Sequence, residues 1–280
     1  MENLRTYGTP PFTIAVIHGG PGAPGEMAPV ARELAHLTGV LEPLQTATTI
    51  EQQVEELKTI LKKKTDIPII LIGWSWGAWL SFLFTTQHPT LVKKLIIISS
   101  GPFEERYATD ITKTRLSRLT TQEKIELNRI MNTLNNPSSE EKNNSFIRLA
   151  QLFFKTDSYD PLPHKNEILE YQYDIYENIW KQAVILRENG TLLESGKKIL
   201  CPVVAIHGDY DPHPYLGVKK SLTNIIKDFR FILLKNCGHY PWIEKAAQNK
   251  FYTIIKNEIQ NKRQGNTPAY MNLTKRNIPK

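Results

Sequence analysis

Positions 73–77 read GWSWG, a G-x-S-x-G pattern in which a strained strand-to-helix turn presents the hydroxyl of Ser75 at its tip. Gly73 and Gly77 suit that turn, because a side chain at either position would crowd a close approach of backbone. The flanks agree: IPIILI precedes the pattern as a strand and AWLSFLFTTQ follows it as a buried helix. A serine hydroxyl is a poor nucleophile at neutral pH unless a base takes its proton and a carboxylate orients that base. HGDYDPHP at 207–214 and NCGHYPW at 236–242 supply both, each after a strand-like run. His239, between Gly238 and a helix start near Pro241, is the expected general base and acid. Asp211 is the expected orienting carboxylate; Asp209, which would more simply tie down the turn, is the alternative. HGGPG at 18–22 follows the run TIAVI and can aim backbone amides at a developing negative charge, with the amide of Trp76 as second donor.

Such a constellation needs a rigid platform, and the chain offers one in two pieces. From Phe12 to about Gly101, β-branched runs alternate with amphipathic stretches, the pattern of parallel βαβ units. Strands are expected at 13–19, 39–45, 67–73 and 92–100. Thr48 or Thr49 caps a helix whose Ile50, Val54, Leu57 and Leu61 share one face. The rhythm returns with strands at 199–208 and 229–236, a helix over 215–226 and a last helix from about Trp242 to Gln260. Residues 102–195 lack a convincing strand and read as an inserted helical cap, with capping-box spacings at Thr120/Glu123 and Ser138/Glu141. The domains expected are therefore a core of 1–101 and 196–260, the cap, and a basic tail over 261–280.

The composition excludes several classes. Two cysteines in 280 residues, Cys201 and Cys237, make neither a disulfide framework nor a metal-ligand spacing, and read as core thiols of a reduced compartment. No N-terminal basic-then-apolar run and no apolar stretch of spanning length is visible, so a soluble cytoplasmic protein with no membrane partner is expected. The net charge is +7, and from Lys256 onward six cations against Glu258 account for +5 of it. That places the excess in a solvated tail, and no nucleic-acid partner is expected. A small-molecule or short-peptide substrate is the expected partner, with no cofactor and no metal.

HGGPG, GWSWG, GDYDP and CGHYPW together resemble the α/β-hydrolase superfamily, and within it the prolyl iminopeptidase-like branch, over about 12–101 and 197–260. The resemblance implies an α/β-hydrolase fold with a mostly parallel sheet flanked by helices. It also implies oxyanion amides at Gly20 and Trp76, and acylation of Ser75 followed by hydrolysis of an ester, amide or N-terminal peptide bond. Three features depart from that branch. The W-x-x-W-E segment that supplies amine-binding glutamates is missing; the nearest substitute is a helix expected over 165–180, where Glu167, Glu170, Asp174 and Glu177 form an acidic stripe opposite Leu169, Tyr173, Tyr176 and Trp180. Glu170 and Glu177 are accordingly candidate substrate contacts. Trp74 before the nucleophile, with Trp76 and Trp79, implies a crowded apolar neighbourhood suited to a small or flat acyl group, and makes Trp74 a third candidate. Only about twelve residues precede the first confident strand, so the sheet edge there is shortened to at most one extra strand. Two other classes compete: a non-catalytic small-molecule receptor of the same fold, and a metal site made by the alternating residues His207, Asp209, Asp211 and His213.

Overall fold

The computed structural model describes residues 3–65, 68–136 and 138–260. The tail expected over 261–280, and Ile67 at the start of one expected strand, lie outside them. Seven strands form one sheet in the order β1-β3-β2-β4-β5-β6-β7. They are β1 (Leu4–Tyr7), β2 (Phe12–Ile17), β3 (Gly39–Pro43), β4 (Ile69–Trp74), β5 (Val92–Ile98), β6 (Val203–Gly208) and β7 (Phe229–Leu234). All neighbours are parallel except β1, which runs antiparallel on β3 with Thr6 opposite Leu41. β1 is the one strand that precedes β2 among the described residues. Arg5 Nε and Tyr7 Oη reach Glu42 from it at 2.8 and 2.6 Å.

The central strands are continuous hydrophobic runs because both faces of the sheet are covered. Alternate residues divide between two cores. Ala15, Ile17, Leu71, Leu95, Ile97 and Ala205 face one side, against α2 (Ile50–Lys64), α3 (Trp76–Gln87) and α9 (Leu216–Thr223). Val16, Ile70, Ile72, Ile96 and Ile206 face the other, against α1 (Ala28–Leu34) and α10 (Gln248–Gln260). The expected face of Ile50, Val54, Leu57 and Leu61 is buried as read, and Thr49 caps α2 by accepting from Gln52 N at 3.2 Å.

Between β5 and β6 lie α4 (Thr109–Ser117), α5 (Thr121–Asn135), α6 (Lys142–Asp157), α7 (Tyr173–Glu188) and α8 (Thr191–Ser195). Leu127, Ile130 and Leu134 of α5 pack with Phe146, Leu149 and Leu152 of α6 and Tyr173 of α7 in a small core of their own. The Thr120/Glu123 box forms reciprocally. The Ser138/Glu141 box does not: α6 starts after Glu141 without a side-chain cap, because Ser138 N donates to Asn136 Oδ1 and Glu141 N to Ser139 Oγ within the preceding turn.

The helix expected over 165–180 begins only at Tyr173. Residues 162–172 run as a non-helical strap whose amides bond to the sheet-bearing part of the chain, Leu162 N to Ile243 O, Leu169 N to Pro24 O and Gln172 N to Gly22 O, at 2.7–2.9 Å. These long-range bonds satisfy backbone groups that a helix would have satisfied locally. The acidic stripe therefore does not exist. The last helix likewise starts at Gln248 rather than near Trp242, since residues 242–247 form turns in which Glu244 serves the loops beside it. Among the described residues, no helix is long and apolar enough to cross a membrane.

Candidate active site

Ser75 sits between β4 and α3 with φ 54° and ψ −117°, a left-handed φ that costs a non-glycine residue about 1–3 kcal/mol and persists only where the surroundings enforce it. Enforcement is visible on both sides. A Cβ on Gly73 would lie 2.2 Å from Gly77 O, and one on Gly77 would lie 2.3 Å from Ile17 O and 2.4 Å from His18 O. The two glycines thus let β4, α3 and the end of β2 close on one another, and Ser75 N is tied to Ile98 O at 3.0 Å.

His239 and Asp211 come from the loops after β7 and β6. Asp211 Oδ2 accepts from His239 Nδ1 at 2.7 Å, which leaves the other ring nitrogen of His239 free of that contact. Asp209 turns away: its Oδ1 accepts from Cys237 N at 3.4 Å and its Oδ2 pairs with Lys235 at 3.4 Å. The carboxylate beside His239 is therefore Asp211, and of the alternating metal set 207, 209, 211 and 213, one member is directed elsewhere. Asp211 Oδ1 also accepts from His213 N at 2.9 Å and His213 Nδ1 at 2.8 Å, and His207 Nε2 lies 3.4 Å from Oδ2. Burial would raise this carboxyl, but His239, His213 and His207 around it outweigh that and hold it well below the usual carboxylate range. His213 is itself lowered to about 4, by burial first, so it is neutral at pH 7. One ligand atom each from Asp211, His213 and His239 lies within 4.8 Å of the others, close enough to hold a metal ion. In the present arrangement both Asp211 oxygens are committed to imidazoles.

The loop after β2 is held by His18, which is fully buried. Its Nδ1 donates to Gly19 O at 2.7 Å and its Nε2 accepts from Gln45 N at 3.2 Å. Burial lowers it to about 4, so the imidazole works as a neutral strut. Gly20, at φ 100°, and Trp76 both face the cavity that holds Ser75. Trp76 opens α3, so its N–H has no intrahelical acceptor and lies at the positive end of that helix.

This cavity has a volume of about 140 Å³ and is bounded by Ser75, His239 and His213 on the sheet side and by Phe146 and Phe153 of α6 and Tyr176 of α7. Trp74, Trp76 and Trp79 all line it. Trp74 has a second role that no motif announced: its Nε1 donates to His239 O at 2.8 Å, fixing the histidine loop. Glu170 and Glu177 are not among the lining residues. Glu170 accepts from Gln172 Nε2 at 2.9 Å, Glu177 pairs with Lys181 at 3.1 Å, and Glu167 pairs with Arg32 at 2.7 Å.

Sequence reasoning missed four further groups. Arg115 of α4 binds Asp157 of α6 through Nε and Nη2 at 2.9 and 2.5 Å, and both border the cavity. The Asp157 carbonyl accepts from His239 N at 2.8 Å. Glu244, fully buried, takes Gly238 N at 3.0 Å and the amides of Tyr159 and Asp160 at 2.8 Å, joining the chain just after α6 to the histidine loop. Glu26 lines the cavity just past HGGPG. The only signal for it was its place within ten residues of that motif.

A family model described as alpha/beta hydrolase fold matches residues 13–246. The chain is 22% identical over 271 residues to the proline iminopeptidase of Lactobacillus acidophilus, covering 84% of this chain and 86% of that protein. It is 26% identical over 216 residues to the pimeloyl-[acyl-carrier protein] methyl ester esterase of Wigglesworthia glossinidia brevipalpis, covering 74% and 75%. Among solved structures it is similar in fold to VinJ, with a TM-score of 0.64 at 15% identity over 91% of this chain and 93% of the other. It is also similar to the proline iminopeptidase of Mycobacterium smegmatis, at 0.59 and 16% over 91% and 93%.

Proposed function

The chain belongs to the α/β-hydrolase family, and we propose that within it the chain is a serine hydrolase that cleaves an ester or amide of an uncharged acyl group through an acyl-enzyme on Ser75, under a cap formed by residues 102–195. The observation that carries this reading is the meeting, in one cavity, of a serine in a strained left-handed turn and a histidine bonded to a buried carboxylate held ionised. In the first half-reaction Ser75 Oγ attacks the carbonyl carbon while His239 takes its proton. Asp211 keeps Nδ1 of His239 as the protonated nitrogen and stabilises the imidazolium. The backbone amides of Gly20 and Trp76 receive the negative charge that gathers on the carbonyl oxygen. The carbon–heteroatom bond then breaks, and the leaving group departs with the proton from His239. In the second half a water attacks the acyl carbon, His239 takes its proton, and return of that proton to Ser75 Oγ releases the acid.

The aromatic walls and the small volume support a small or flat acyl group. The glutamates considered for amine recognition pair with other surface groups, so the ester or neutral-amide reading is preferred over the N-terminal peptide bond. The test is labelling by a fluorophosphonate together with a screen of p-nitrophenyl esters against proline and alanine p-nitroanilides. Wild type is expected to label, Ser75→Ala to resist labelling, and the short esters to turn over fastest. Equal labelling of the two proteins overturns the nucleophile, and a marked preference for the proline amide overturns the ester assignment.

A further inference from the structure

Glu26 stands where two cavities meet. The one holding Ser75 and a second of about 260 Å³ share Glu26, Ala150, Ile168, Tyr171 and Tyr240 in their walls, so the two adjoin at a neck made by these side chains. The second cavity runs under the strap, bordered by His164, Asn166 and Glu167 on one side and Trp242 and Ile243 on the other. Glu26 is half-buried and borders both cavities. Its carboxyl makes no hydrogen bond or ion pair with any described residue. Two cations line the cavities that Glu26 borders, Arg115, which binds Asp157, and Lys165 of the strap, and neither is paired with it.

A carboxyl so placed has two possible uses for its free oxygens. Ionised, it would pair with a cationic group on a ligand. Protonated, it offers one O–H donor to a neutral acceptor. Burial disfavours the ionised form, and it alone pushes Glu26 up to about 8. At neutral pH the acid is the favoured form, and its hydroxyl group has no acceptor among the described residues. A ligand oxygen at that point would accept this hydrogen bond in place of solvent.

We propose that Glu26 is the specificity-determining residue of this site. Its carboxyl donates a hydrogen bond to a second, uncharged oxygen of the substrate (a carbonyl, ether or hydroxyl a few bonds from the scissile carbonyl), and the rest of the substrate extends through the neck into the outer cavity. The substrate class is thus an oxygen-bearing neutral acyl compound rather than a plain alkyl ester or an amine. The inference rests on the acyl-enzyme reading for the position of the scissile bond.

The test compares p-nitrophenyl levulinate with p-nitrophenyl pentanoate, which lacks the keto oxygen, each corrected for its hydroxide-catalysed rate. Wild type, Glu26→Gln and Glu26→Leu are read as the ratio of kcat/KM for the two esters. Wild type is expected to favour levulinate by about tenfold, the Gln variant to keep that ratio because its amide N–H still donates, and the Leu variant to bring it close to one. A ratio unmoved in the Leu variant, or lost equally in Gln and Leu, overturns the proposal. So does faster cleavage of an ester with a terminal ammonium that vanishes in the Gln variant, since that places an ionised carboxylate at the neck. If no variant turns over any ester, the acyl-enzyme reading is what fails, and binding decides the inference separately. Methyl levulinate should raise the Tm of Ser75→Ala, and adding Glu26→Leu should abolish the rise. An equal rise in both overturns it.

Discussion

The two walls of the cleft are built by opposite means. On the sheet side, each residue of the proposed machinery sits within a few positions of a strand end: Ser75 follows β4, Gly20 follows β2, Asp211 follows β6 and His239 follows β7. Parallel register aligns those ends, so their order along the chain converts directly into proximity. On the other side, position comes from contacts that skip across the sequence. Asp157 of α6 meets Arg115 of α4, Glu244 reaches back to Tyr159 and Asp160, and the strap lies along Gly22 and Pro24. A wall set by backbone register depends on few side chains for its shape; a wall set by cross-links depends on each of them.

Three measurements press on that contrast. The largest effect belongs to the sheet side: Asp211→Asn should lower kcat by about 10⁴-fold in a protein that remains folded, because the imidazole loses its required tautomer while the strands are untouched. Asp209→Asn should stay within about threefold of wild type, and a reversal of the pair would give the orienting role to Asp209. Next, Arg115→Ala should cost about 3–5 kcal/mol in urea unfolding, since the Asp157 carboxylate is left buried without its cation. Replacing both partners by Met and Leu should restore most of that loss. If the single variant is harmless, the inserted wall is not held by this cross-link. The smallest effect is at the neck. The folded protein keeps a proton on Glu26 that the unfolded chain releases above its ordinary value of 4.5, so wild-type stability should fall as pH rises from 4.5 to about 8 and level off beyond. Subtracting the pH profile of Glu26→Gln should isolate this fall, on the order of 1–2 kcal/mol once water entering the cleft is allowed for. A flat difference would mean that the carboxyl is ionised throughout.

The same contrast explains what could be read from the sequence. Glycines at 73 and 77 are demanded by atoms a few residues away or on the adjacent strand, so the pattern announces itself locally. Strand runs were legible because burial on both faces leaves unbroken Ile, Leu and Val, and their ends fall within a few residues of those expected. The helix over 165–180 failed for the converse reason. Its periodicity was real, but the amides of Leu169 and Gln172 found acceptors at Pro24 and Gly22, about 150 residues away in sequence. The Ser138 box failed through a local competitor, the Asn136 and Ser139 turn. Arg115, Asp157 and Glu244 carry no spacing that links them, and Glu26 reads as one more acidic residue until the space around it is known.

The strap also sets the terms on which this architecture could be recombined. A Cβ on Gly22 would lie 2.3 Å from Gln172 O and one on Gly25 2.4 Å from Glu167 O. Both glycines lie in the first quarter of the chain, yet what they accommodate is a stretch more than a hundred residues later. The interchangeable module is consequently larger than the helices alone. Grafting 102–195 onto another scaffold without a matching pair of glycines after its β2 would drive two backbones into each other, whereas carrying 18–26 along with it would preserve the seam.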